Sequence, residues 1–153
     1  IYLETELACE FGDGCRVICP ITDPYVVHHG ALGSAVPVYL PAHLDREAAA
    51  NWIAALAGVT EVHTRESAMA KLELPGDRIG DLFVLSSRDW VIGRTPEHHD
   101  LGKLEDTLRS HGGRYEEMVP MLISQPVTVE TTDLRNFDIF DLACNFHLSG
   151  KEA

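Results

Sequence analysis

The sequence predicts an α/β chain, in which a small α+β subdomain accompanies part of a larger α/β core. Three observations predict it. Strand-like and helix-like segments succeed one another as β–β–α–β–α–β over residues 15–93. A further apolar run of strand length, 118–124, and a terminal helical pattern, 131–148, lie beyond a polar, turn-rich stretch. The chain opens on "IYLETEL" with no loop or capping residues before it, as if entering mid-element, which reads as a piece of something longer.

Taken in order, "FGDG" (11–14) is a turn cluster and β-branched "CRVICPI" (15–21) a strand. In "TDPY" Pro24 holds Asp23 extended. "VVHHGALGS" (26–34) is a short apolar run broken by glycines. "AVPVYLP" (35–41) is a strand, expected near a sheet edge because Pro37 removes a ladder donor. Residues 45–57 form the clearest helix, with Asp45 as N-cap, Ala48, Trp52, Ile53 and Leu56 on one face, and Gly58 as the stop. "VTEVHT" (59–64) alternates as a half-buried strand does, and Thr64 caps a second helix, 65–73, with Ser67 and Lys71 lying away from Met69 and Leu72. A loop at 75–80 leads into strand 81–87, with "WVIG" (90–93) expected to pair with it across the "SRD" turn. After a short helical stretch near 101–109, "MVPMLIS" (118–124) reads as a strand. The terminal helix takes Asp133 as cap and buries Leu134, Phe137, Phe140, Leu142 and Cys144.

Composition narrows the function classes. The 153 residues suffice for one domain with a real core, and 45% hydrophobic with 24% charged residues is a globular balance. The 24 acidic against 12 basic residues give a formal charge of −12, which excludes nucleic acid or an anionic membrane as the main partner. An anionic small molecule would be repelled too, unless metal ions or a few focused arginines reverse the local field. No apolar run approaches the roughly 18–20 residues that span a bilayer. The four cysteines, Cys9, Cys15, Cys19 and Cys144, match no zinc-knuckle spacing and read as reduced structural thiols of a cytoplasmic protein.

The eight histidines carry most of the chemical information. His63, in a strand, reads as exposed or locally satisfied, and His43 and His147 sit beside element ends. His98 and His99 in "PEHHDL" look like a metal cluster, but adjacent residues rarely converge on one ion, and Asp100 reads better as a helix cap. His28 and His29 precede "GALGS", whose glycines permit close backbone approach, so they are candidate substrate-binding residues in a pocket wall. His111 precedes Gly112 and Gly113, which can turn the chain sharply and let the imidazole project ahead of a buried strand. The residues alone leave two readings of His111 open, metal ligand or loop residue, since zinc takes at least three protein ligands.

Five stretches taken together are more specific: "VICPITDPYVVHHGALGS", "LPGDRIGDLFVLSSRDWVIG", "HDLGKLEDTLRSHGG", "EEMVPMLIS" and "LRNFDIFDLACN". In this order, along almost the whole chain, they resemble the C-terminal half of the phosphonoacetate hydrolase family. That family lies in the alkaline phosphatase superfamily, near the nucleotide pyrophosphatase/phosphodiesterase branch. The resemblance implies hydrolysis of a carbon–phosphorus bond to acetate and phosphate, with two zinc ions and a threonine nucleophile. It implies an alkaline-phosphatase-like α/β core carrying a small α+β cap. On this chain residues 1–12 would end the N-terminal core portion, 13–96 would form the cap, and 97–153 would return to the core.

Carried over residue by residue, the histidine of "SHGG" is the last zinc ligand, His111. The nucleophile and the other ligands of the pattern are absent; Thr5, Thr22 and the "HHD" of 98–100 do not occupy the matching places. The chain as given is therefore expected to hold no catalytic residue and to be inert by itself. Its implied partners are a small anionic phosphonate and, as an open assembly, a second copy in a homodimer. One of Arg16, Arg78, Arg88, Arg109 and Arg114 is expected to touch the substrate carboxylate. Two other readings stand beside this one: a related phosphodiesterase or phosphomutase half, and a non-catalytic ligand-binding module.

Overall fold

The computed structural model describes residues 1–19, 32–99, 101–103, 108, 110–124 and 133–145. The chain divides into two compact units, Ile1–Met118 and Val119–Ala153.

The first unit is built on a four-stranded antiparallel sheet of order β1-β2-β4-β3. Its strands are β1 (Arg16–Val17), β2 (Ala35–Tyr39), β3 (Val59–Thr64) and β4 (Leu82–Ser86). Helices α1 (Leu3–Phe11), α2 (Arg46–Ala54) and α3 (Arg65–Leu72) complete it. The mixed α/β class is as expected.

Period-two alternation gives the sheet two different faces. Val36 and Val38 of β2, and Leu82 and Val84 of β4, join Leu3 and Leu7 of α1, Ala49 and Ile53 of α2, and Ile92 in one buried cluster. Fully burying each Leu or Ile there contributes roughly 1.5–3 kcal/mol before the entropy of ordering it. Phe11 meets Trp52 edge-on at 5.5 Å, joining α1 to α2. On the opposite face Ala35, Leu85 and Glu61 stand in a row across β2, β4 and β3, because Leu85 is the register partner of both others.

The caps predicted for α2 and α3 form. Asp45 Oδ1 accepts from Glu47 N at 2.8 Å and Ala48 N at 3.1 Å, and Thr64 Oγ1 accepts from Ser67 N at 3.3 Å. The buried face of α2 runs through Ala49 and Ile53 rather than Ala48, which is exposed. In α3 the buried residue is Ala68, while Met69 is exposed and lies over Gly76.

Three expectations are corrected, and that for Pro37 is refined: it lies one strand in from the edge, on β2. Its carbonyl accepts from Ile18 N at 3.0 Å, so its missing N–H faces the end of β1, where only one ladder bond is lost. β1 is the edge strand on that side of the sheet, and the proline ends its pairing.

Residues 90–93 do not pair with β4. Ile92 bridges Gly33, and Gly93 bridges Tyr2, because the amino-terminal residues compete for that backbone: Leu3 N donates to Gly93 O at 2.9 Å and Gly93 N to Ile1 O at 2.8 Å.

Residues 118–124 form no strand. They have no ladder partner among the described residues, and Met118 and Leu122 are 95% and 90% exposed.

The terminal helix of the second unit, α4 (Asp138–Asn145), starts later than expected. Asp133 has φ +60°, and Asp138 instead accepts from Arg135 N at 2.5 Å. Leu142 is buried in α4, but Phe137, Phe140 and Cys144 are exposed. Of the short helix expected at 101–109, Leu101–Lys103 is a 3₁₀ turn, and residues 104–107 and 109 lie outside the described residues.

Sequence reasoning assigns no helix at α1. Leu3, Leu7 and Phe11 at i, i+4 and i+8 are the signal available there.

Candidate functional site

The turn carrying His111 lies over the second face of the sheet. Gly112 has φ +85°, and a Cβ placed on it would stand 3.8 Å from that of Ala35. Gly113 is buried, and a Cβ there would meet Ser34 Cβ at 2.5 Å, so this close approach requires glycine.

Three anchors hold the turn. Ser34 N donates to the carbonyl of His111 at 3.0 Å. The Ser34 hydroxyl lies 2.9 Å from Ser110 Oγ and donates to Glu116 Oε1 at 3.2 Å, while Glu116 Oε2 accepts from Gly113 N at 2.9 Å. Arg114 reaches across the row to Glu61, with Nε–Oε1 at 2.8 Å and Nη2–Oε2 at 3.2 Å, and its Nη1 donates to Glu117 at 2.8 Å.

Behind this fork, Glu61 Oε2 is 2.7 Å from His63 Nε2, and His63 Nδ1 is 3.0 Å from Ser67 Oγ. His63 is thus a buried histidine satisfied by its neighbours. The bonds from Arg114 dominate Glu61 and, with those from His63, overcome desolvation, setting its carboxyl pKa down to about 2. The same pair raises the pKa of Arg114 further above its ordinary value.

The side chain of His111 is half-buried, with Nε2 inside the protein. No group of three or more His, Cys, Asp or Glu among the described residues could hold a metal ion. His28 and His29 lie outside the described residues, as do His147, Asp100 and Arg109.

His98 and His99 do not converge. His98 Nδ1 is 2.8 Å from Thr95 Oγ1, and the buried His99 accepts from Arg94 N through Nε2 at 2.8 Å. That bond makes Nε2 the acceptor and leaves the neutral ring's proton on Nδ1. His43 is exposed.

Among the candidate arginines, Arg114 is committed to Glu61 and Glu117. Arg88 lies over the Tyr115 ring at 4.8 Å, and Arg78 faces Asp77 at 3.5 Å. Arg16 is exposed on β1.

A cleft of about 500 Å³ opens elsewhere, lined by Glu4, Thr5, Ala8, Cys9, Asp13, Gly14, Cys15 and Thr95. Its ionisable lining includes two carboxylates and no basic residue, which suits no anion. Glu4 is bound by Arg94 at 3.0 Å and by Val17 N at 2.8 Å; burial works against its charge, and these bonds outweigh it, lowering its pKa. All four cysteines are free thiols; burial raises the pKa of Cys15 and pushes Cys19 up to about 11, so neither is a ready nucleophile.

Sequence reasoning missed Ser34, Glu61 and the Arg114–Glu61 fork. The one available signal was the spacing of Glu61 and His63, which puts a carboxylate and an imidazole on the same strand face.

No protein-family model matches the chain. Solved structures do, among them two of phosphonoacetate hydrolase from Sinorhizobium meliloti 1021, in complex with phosphonoformate and with phosphonoacetate. Each is 43% identical and covers 94% of this chain, with TM-scores of 0.76 and 0.75. The chain spans 35% of their length. The resemblance read from the motifs thus holds in sequence and fold together: over nearly its whole length this chain is similar to about a third of phosphonoacetate hydrolase.

Proposed function

We propose that this chain is part of a zinc-dependent phosphonoacetate hydrolase, cleaving the carbon–phosphorus bond of phosphonoacetate to acetate and phosphate. The observation that carries the reading is 43% identity over 94% of the chain to an enzyme crystallised with phosphonoacetate and phosphonoformate. Residues 13–96 act as the cap and 97–153 as the return to an alkaline-phosphatase-like core, with 1–12 ending the preceding core portion. The ligand is a small phosphonate anion, with no nucleic acid and no membrane as partner, and the site of action is the cytoplasm. Four free thiols agree with a reducing compartment. None of the described helices is long and apolar enough to cross a membrane.

His111 is the metal-binding residue of this chain. The described residues by themselves do not fit a zinc site, because three donors do not gather around it or anywhere else among them. His111 therefore supplies one ligand to a centre completed by parts of the enzyme that this chain does not match, which also supply the threonine nucleophile. What this chain contributes is a donor with its backbone pinned, together with His28 and His29 as candidate substrate-binding residues.

Two assays test the reading. The isolated chain, incubated with zinc and phosphonoacetate, releases no phosphate above the buffer rate. A chimera, in which this chain replaces the matching segment of the Sinorhizobium meliloti enzyme, releases acetate and phosphate in equal amounts. Turnover by the isolated chain, or a folded chimera with no hydrolysis, contradicts it.

A further inference from the structure

We propose that Glu61 and Arg114 are positioning residues, which lock the Ser110–Gly113 turn across the sheet and thereby fix where His111 presents its imidazole. The inference rests on the reading of His111 as a metal ligand and extends it to the residues that aim the ligand.

The geometry supports it at each end. Glu61 is held from the sheet side by His63, itself tied to Ser67 at the start of α3, so its carboxylate has a fixed place on β3. The bulge between Val59 and Glu61 sets the register that puts Glu61 opposite Leu85, in line with Ala35, over which the turn passes. Arg114 comes three residues after His111, and the two intervening positions are glycines that cannot by themselves resist rotation.

The guanidinium answers with all three nitrogens, two on Glu61 and one on Glu117. A planar fork on a carboxylate fixes direction as well as distance, which a lysine cannot do. Arg88 stacked on Tyr115 braces the segment just beyond. Ser34 pins the near side of the turn, and Arg114 pins the far side. With both in place, the His111 backbone is held between Ser34, which leads into β2, and Glu61 of β3.

This arrangement also removes Arg114 from the candidates for the substrate carboxylate. Its charge is committed to Glu61 and Glu117, and its role is to aim a neighbour.

The test uses the 153-residue chain and its variants Arg114→Ala, Arg114→Lys and Glu61→Gln. Amide hydrogen exchange is followed at Ser34, whose N–H bonds to His111, and at Val84 in the sheet centre; the ring resonances of His111 are followed by NMR. With Arg114→Ala, Ser34 exchanges about tenfold faster or more and the His111 ring signals broaden or split, while Val84 is unchanged. Glu61→Gln acts in the same direction. Arg114→Lys restores part of the Ser34 protection and narrows the ring signals again, a rescue that general destabilisation does not produce.

Unchanged Ser34 exchange and ring signals in folded Arg114→Ala overturn the proposal. So does equal acceleration at Ser34 and Val84 in all three variants. Failure of the underlying reading looks different: a chimera that stays active with His111→Ala defeats the ligand role and leaves the exchange result untouched.

Discussion

The amide of Ser34 donates to the carbonyl of His111 at 3.0 Å, joining two segments 77 residues apart in the chain. Ser34 leads into β2, a core strand, and its own carbonyl accepts from Ser86 N of β4 at 2.8 Å. The turn that carries His111 is thereby referenced to the sheet, which is what the proposed ligand role of His111 requires.

Replacing Ser34 by alanine keeps that backbone bond but removes the hydroxyl between Ser110 and Glu116. Ser34 is buried, and the expected loss is about 1 kcal/mol of stability. Urea unfolding monitored by circular dichroism measures it, and a change below a few tenths contradicts the assigned contact.

Asp45→Ala removes both bonds that cap α2. The expected cost is about 1 kcal/mol. Asp45→Asn should recover most of it, since the amide oxygen can still accept from the same backbone groups.

Gly80→Ala is expected to be the most damaging single methyl in the sheet. Gly80 has φ +72°, and an added Cβ would lie 2.5 Å from the carbonyl oxygen of Val38, which is backbone and cannot swing aside. The left-handed conformation alone costs an alanine roughly 1–2 kcal/mol, and the clash adds to it. Thermal unfolding should show a larger drop than for Asp45→Ala.

Acid should weaken the clasp on β3. The carboxyl of Glu61 has its pKa lowered from 4.5 to about 2 in the folded chain. Its contribution is therefore complete above about 4.5 and is lost as pH falls through about 2. The stability gap between the natural chain and Glu61→Gln should be open at neutral pH and shrink between about 4.5 and 2. A gap that stays constant across that window contradicts the pairing with Arg114 and His63.

Uncovered apolar side chains should make the isolated chain self-associate. Met118 and Leu122 are nearly fully exposed, and Phe137 and Phe140 of the second unit are 56% and 73% exposed. Sedimentation velocity should show association rising with concentration, reduced by Leu122→Lys or Phe140→Lys. A monodisperse monomer for the unaltered chain contradicts this expectation.

What could be read from the sequence was what neighbours along the chain decide. Asp45 and Thr64 announce their helices because a cap acts within three residues. Strands β3 and β4 are legible from alternation and length. Pro37 is tolerated one strand in from the edge because a missing donor excludes only one neighbour position, and the two-residue β1 ends beside it. Residues 118–124 have the composition of a strand, but composition cannot supply the neighbour that makes one. The candidate site divides in the same way. The glycine turn after His111 is local and legible, whereas Ser34 and Glu61, from positions 77 and 50 residues earlier, come to it only through the sheet.

The central claim is that His111 is a zinc ligand of a phosphonoacetate hydrolase, and bound zinc in the chimera with the Sinorhizobium meliloti enzyme tests it most directly. With His111 present, the purified chimera should hold two zinc ions per chain by elemental analysis, as expected of a two-metal hydrolase. With His111→Ala it should fold, hold less than two, and lose phosphonoacetate hydrolysis. Full zinc content and full activity in the His111→Ala chimera would contradict the claim.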